Sequence, residues 1–154
     1  MQPPATAPMP AAEDTSGKQT DASACQTVIN PADIARFNEA IVLFNSQQFH
    51  ACHDVLEELW LAETRPCRDI YKGILQVGVA FWHEGNGNRK GALRLLARGL
   101  HHLASFGVHW AGVDLAALRR DATAALHWLA QAQPTDTLPH DHIPRLHAVS
   151  GGTR

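Results

Sequence analysis

Residues 66–83 read PCRDIYKGILQVGVAFWH, and this stretch decides the fold. At about 100° per residue its apolar side chains point to every side of a helical axis, which is typical of a central helix. The polar exceptions after the first turn are Lys72, Gln76 and His83, which fall within a stripe only about 40° wide. These three residues are called the polar stripe. Because polar groups on a buried helix need hydrogen-bonding partners, the neighbouring helix should supply them.

The preceding segment, residues 49–62, has the pattern of an amphipathic helix with polar residues at the border of its apolar face. His53 and Glu57 lie there at i and i+4, and Trp60 lies beside His53. Asp54 is expected to face water. We therefore expect His53 and Glu57 to face the polar stripe of the central helix.

Start and stop signals predict the remaining helices. Asn30, Asn88 and Asp114 are suitable N-caps, and the glycine-rich segment 84–88 separates the central helix from the next one. No strand-like alternation or internal repeat competes with this pattern. The predicted fold class is all-α, a compact bundle of about five helices with a disordered N-terminal tail. The helices are expected at about 31–46, 49–62, 66–83, 88–106 and 114–133.

Two tails flank the predicted helical domain, which spans residues 29–133. Residues 1–28 are rich in Pro, Ala, Thr and Gln and have neither a basic nor an apolar leader region, which predicts a disordered tail. Residues 134–154 carry repeated prolines and are expected to form an irregular C-terminal tail. The histidines of that tail, His140, His142 and His147, are expected to be surface residues.

Composition excludes several functional classes. A net charge of -2 gives no basic surface for nucleic acid. No apolar run approaches the roughly 18 residues that a membrane span needs. Three cysteines, an odd count with no CxxC pair and no regular spacing, favour a reducing, cytoplasmic setting. A homo-oligomer, an unidentified protein partner or a small ligand remains compatible with this composition.

Several short motifs resemble one protein family. His53 with Leu56-Glu57-Glu58-Leu59-Trp60 is followed by Tyr71-Lys72-Gly73-Ile74-Leu75-Gln76, Ala80-Phe81-Trp82-His83, Gly87-Asn88 and Gly91-Ala92. In this order and spacing they resemble the bacterial and archaeal family known as domain of unknown function 309, over residues 37–106. The resemblance implies a small all-helical fold and no particular activity. Asp54 departs from the family pattern, which usually has Glu after the histidine.

Three functional hypotheses follow from these residues. His53, Glu57 and His83 could hold a divalent transition metal, with His50 as a fourth ligand. His53, Glu57, Gln76 and His83 could instead form a satisfied hydrogen-bond network that only fixes helix register in a structural or partner-binding module. A hydrolase-like enzyme using His53, Glu57 and His83 is the third hypothesis. The residues predicted to bind a ligand or to form the network are His53, Glu57, Trp60, Lys72, Gln76, His83 and Asn88.

Overall fold

The structure, a computed structural model, describes residues 30–149, and the predicted tail at 1–28 lies outside them. The described residues confirm the all-α bundle of five helices. A short hairpin and one 3₁₀ turn complete the elements. The helices are α1 (Pro31–Asn45), α2 (Phe49–Ala62), α3 (Arg68–Gly85), α4 (Arg89–Leu103) and α5 (Leu115–Gln131), the hairpin strands are β1 (His109–Trp110) and β2 (Val113–Asp114), and the 3₁₀ turn is His140–His142.

All three predicted N-caps form. The side-chain oxygens of Asn30, Asn88 and Asp114 each accept a hydrogen bond of 2.9 Å from a backbone N–H in the first turn of a helix. Two predicted boundaries were wrong. α3 begins later than position 66 because a turn precedes it, in which the Arg68 N–H donates to the Arg65 carbonyl over 3.0 Å. α4 ends before position 106 because its last turn tightens into i→i−3 hydrogen bonds.

α3 is the most buried helix among the described residues, as its sequence predicts. It packs against α2 on one side and α4 on the other, and Ile70, Ile74 and Val77 are fully buried. α3 and α4 approach closely at two glycines. A methyl group placed on Gly99 would lie only 2.8 Å from the carbonyl oxygen of Gly73. This close packing fixes the position of α3 relative to α4.

The hairpin between α4 and α5 was missed by sequence analysis. Ala111 and Gly112 both have positive φ, 49° and 80°, which is the requirement of a two-residue type I′ turn. The hairpin places Trp110 in the core, 2% exposed, with its ring 5.2 Å from that of Tyr71 and 5.3 Å from that of Phe37. Two-residue strands are too short to produce an alternating sequence pattern.

Residues 134–149, called here the C-terminal segment, pack against the bundle although they are mostly irregular. Leu138 and Leu146 are 7% and 3% exposed. Asn45 at the end of α1 holds Leu146 by two hydrogen bonds, of 3.0 Å to its carbonyl and 2.7 Å from its N–H. Ala148 forms an antiparallel bridge with Val113 of β2. The segment therefore closes one side of the core.

No helix in residues 30–149 combines the length and the apolar character needed to cross a lipid bilayer.

Candidate functional site

Three potential metal ligands lie together on the outer edge of α2. His53 Nδ1 is 3.4 Å from Asp54 Oδ1 and 3.9 Å from Glu57 Oε2. The helix produces this arrangement, since i and i+4 lie on the same face and the adjacent residue can turn its short side chain towards the imidazole. One ligating atom from each residue lies within 4.8 Å of the others, and no other such group of His, Cys, Asp or Glu occurs in residues 30–149.

The three side chains remain accessible. The exposed fractions of the side chains are 35% for His53, 46% for Glu57 and 70% for Asp54. A metal ion bound here would have one imidazole and up to two carboxylates as protein ligands. The solvent side would leave coordination positions for water or for a second molecule. Mixed nitrogen and oxygen ligands of this kind suit zinc, manganese and iron.

The two adjacent glutamates of α2 have different partners. Glu58 accepts hydrogen bonds of 2.7 and 3.1 Å from Arg36 of α1. These bonds hold the pKa of the Glu58 carboxyl below its ordinary value. Glu57 points to the other side, towards His53. Glu57 is therefore the carboxylate that could bind a metal, and Glu58 connects α2 to α1.

His83 lies apart from this group, at the C-terminal end of α3. Its Nδ1 is 3.3 Å from the side-chain nitrogen of Asn88, and its ring packs on Trp82. Asn88 uses its oxygen to cap α4. His50, the predicted fourth ligand, lies at the beginning of α2 with its ring 5.9 Å from that of Trp82. The structure thus brings His53 and Glu57 together with Asp54, and leaves His83 and His50 outside the three-residue group.

The other predicted residues lie between α2 and α3. Lys72 places its ammonium 4.0 Å from the centre of the Trp60 ring, and Arg68 places its guanidinium carbon 4.7 Å from the same centre. Gln76, one turn further along α3, is only 8% exposed. Its Oε1 is buried and has no hydrogen-bond partner. The residues of the polar stripe therefore differ: Lys72 contacts α2 through Trp60, Gln76 is unsatisfied, and His83 contacts Asn88.

Cys52 is not a suitable nucleophile. It is 1% exposed, and its thiol is 3.3 Å from the Ala40 carbonyl, to which it donates. Burial raises the pKa of the Cys52 thiol to about 12. Since the thiolate is the reactive form, the thiol is inert near neutral pH. A Cys52/His53 pair would therefore lack an activated sulfur.

A cavity within the described residues lies at another place, between the α3–α4 turn and the C-terminal segment. It has a volume of about 620 Å³ and is lined by Trp82 and Leu138, among others. Glu84 and Arg89 also line it, and they form an ion pair of 2.7 Å in which both side chains are less than one-fifth exposed. Arg89 additionally donates to the carbonyls of Gln133 and Asp136, both over 2.8 Å. The pair holds the C-terminal segment in place, and four of the five N–H donors of Arg89 are used in doing so.

Sequence analysis missed two contributors to the α2 edge. Asp54 was expected to face water, and it is exposed, but its carboxylate also reaches His53. The spacing i, i+1 and i+4 of His53, Asp54 and Glu57 is the signal that could have identified it. Arg68 has no local signal in the sequence, because its contact with Trp60 joins two different helices.

Residues 37–95 match the model of the family described as Domain of unknown function (DUF309). The resemblance to this family predicted from the sequence motifs is confirmed over these residues. The matched region includes α2, α3 and the residues just described between them, and it ends within α4. The comparison with curated proteins gives no match.

Proposed function

We propose that this protein binds one divalent transition-metal ion through His53, Asp54 and Glu57. The observation that supports the proposal is the presence of three different ligating groups within 4.8 Å on one edge of α2. Two ligands bound at about 2.1 Å to the same tetrahedral ion lie about 3.4 Å apart. The distances from His53 Nδ1 to the two carboxylates, 3.4 and 3.9 Å, are close to this value. Only small side-chain rotations would be needed.

The hydrogen-bond network hypothesis has less support. A network that only fixes helix register should be satisfied throughout, because each unsatisfied buried group costs about 1–3 kcal/mol. The Oε1 of Gln76 has no partner. In addition, His53, Asp54 and Glu57 are partly exposed, so pairing them with one another adds little stability.

A hydrolase-like activity would depend on the same metal. Cys52 is protonated near neutral pH and cannot act as the nucleophile. The open side of the α2 edge would let a metal-bound water meet a substrate, and such a water is a much stronger acid than bulk water. Metal binding is therefore the property to test first.

Isothermal titration calorimetry of the untagged protein, with Mn²⁺ and with Zn²⁺, tests the proposal. We expect one ion per chain, and at least a tenfold weaker affinity in His53→Ala and in Glu57→Gln. His140→Ala is the matched control, because His140 is an exposed histidine of the C-terminal segment. Unchanged affinity in both α2 variants, or a loss that occurs in His140→Ala instead, would show that the metal does not bind at this edge.

A further inference from the structure

A single indole ring holds two cations on the α2–α3 face. The Lys72 ammonium is 4.0 Å and the Arg68 guanidinium carbon 4.7 Å from the centre of the Trp60 ring. All three residues are half-buried. Cation–π contact is favourable for each cation separately, but two like charges held beside one ring repel each other, more strongly where water is partly excluded.

Neither cation forms an ion pair with a carboxylate of the described residues. The Arg68 Nε donates to the backbone carbonyl of Glu63 over 3.1 Å. The carboxylate of Glu63 is bound by Arg65 instead, over 2.8 Å. The terminal nitrogens of Arg68 are thus left for another acceptor.

The nearby titratable residues do not change this balance. Asp69 is half-exposed, and its carboxylate lies 3.9 Å from Nδ1 of His102 on α4. Burial, with smaller contributions from His101 and Lys72, lowers the pKa of His102, whereas Asp69 opposes the shift. His102 is therefore neutral near neutral pH. Asp69 and His102 therefore do not neutralise Arg68 or Lys72, since Asp69 pairs with neither cation and His102 carries no negative charge.

Gln76 provides an independent sign of a missing partner. It lies at i+4 from Lys72, on the same stripe of α3, and is 8% exposed. Its Oε1 is buried without a hydrogen-bond donor. Burying such an oxygen is unfavourable unless a hydrogen-bond donor reaches it. A ligand that carries an O–H group beside its negative charge would satisfy it.

We infer that Arg68, Lys72 and Gln76 form a binding site for a small phosphomonoester, with Trp60 holding the two cations in place. The free edge of a guanidinium can bind two oxygens of one anion, and a lysine adds a point charge. A phosphate monoester carries a charge of about -1.5 to -2 at neutral pH, which matches two cations, whereas a carboxylate carries only one charge. The O–H group that donates to Gln76 carries the proton that the phosphate retains in its monoanionic form. Binding of the phosphomonoester by these residues requires no metal ion.

Titration of the full chain with phenyl phosphate in metal-free buffer tests the inference, with ¹H–¹⁵N spectra used to follow the Trp60 indole N–H. Benzoate is the matched ligand, since it has the same ring and a single charge. We expect saturable binding of phenyl phosphate, at least tenfold tighter than that of benzoate. Lys72→Gln and Arg68→Gln should each weaken it at least tenfold, and Arg68→Lys should weaken it less.

Lys90→Gln is the control variant, because it removes the same charge from the exposed side of α4. Thermal melting of each variant establishes that it is folded. The inference is overturned if phenyl phosphate does not saturate, if benzoate binds as tightly, or if Lys90→Gln weakens binding as much as Lys72→Gln. Because the titration contains no metal, its result is separate from that of the Mn²⁺ and Zn²⁺ titrations.

Discussion

Replacing Gly99 with alanine should push α4 away from α3. The added methyl carbon would lie 2.8 Å from the Gly73 carbonyl oxygen, 2.9 Å from Cγ2 of Val77 and 3.1 Å from the Val77 backbone nitrogen. Only the Val77 methyl could rotate away. The other two contacts are with the backbone of α3, so the helices themselves would have to separate.

The net cost is the difference between two opposing effects. Overpacking of a well-packed contact costs about 1–3 kcal/mol, and we take the upper value because backbone atoms are involved. Alanine in place of glycine within a helix recovers about 1 kcal/mol. The expected loss in free energy of unfolding is therefore about 2 kcal/mol. For a domain of this size that corresponds to a fall in Tm of roughly 8 °C.

Urea denaturation and thermal melting, both followed by circular dichroism, measure this loss. Gly85→Ala is the matched control, since Gly85 is also helical and a methyl group placed there meets nothing within 4 Å. It should change stability by less than about 0.5 kcal/mol or increase it slightly. Equal stability of Gly99→Ala and Gly85→Ala would contradict the close packing of α3 against α4 at Gly99.

Two further predictions concern charged side chains. Arg89→Ala removes four hydrogen bonds, two to Glu84 and two to backbone carbonyls after α5, and should lower the free energy of unfolding by about 2–3 kcal/mol. Arg94 lies on the exposed side of α4, the helix that begins at Arg89. Arg94→Ala should change the free energy of unfolding by less than about 0.5 kcal/mol in urea titrations. The hydrogen bonds from Arg65 lower the pKa of Glu63 from 4.5 to about 2, so this carboxylate stabilises the fold above pH 4.5 and progressively less as the pH falls to 2. In Glu63→Gln, the free energy of unfolding should fall less between pH 4.5 and pH 2. If it fell as much as in the parent protein, the Glu63 carboxylate would not be the group responsible.

The parts of the fold that follow from local chemistry were predictable. Asn30, Asn88 and Asp114 cap their helices because a side-chain oxygen next to a helix start can reach a free N–H whatever the tertiary structure. The central position of α3 was predictable because its apolar residues lie on all sides of the helix, and burying them requires neighbours on all sides. Neither inference needs a contact between residues that are distant in the sequence.

The remaining features depend on contacts between distant residues. Trp110 enters the core through a hairpin whose strands have two residues each, too few to give a pattern. Asn45 binds Leu146 across about two-thirds of the chain, which no local signal indicates. The position of His83 illustrates the same limit: helical spacing placed it on the stripe with Lys72, but the stripe extends beyond the part of α2 that carries His53. A shared stripe on one helix therefore does not bring its residues to a common neighbour.

The two proposed sites share α2 but make opposite demands on charge. Glu57 and Trp60 are three residues apart and so lie on neighbouring turns of one face. An ion bound at His53, Asp54 and Glu57 would neutralise carboxylates next to Arg68 and Lys72. Without a bound anion, this loss of negative charge would increase the electrostatic repulsion at the two cations. A bound phosphomonoester would remove that repulsion. Each ligand should therefore strengthen the binding of the other, by the same factor in both directions. Titrating phenyl phosphate with and without Mn²⁺ measures this factor, and a value of one would mean that the two sites act independently.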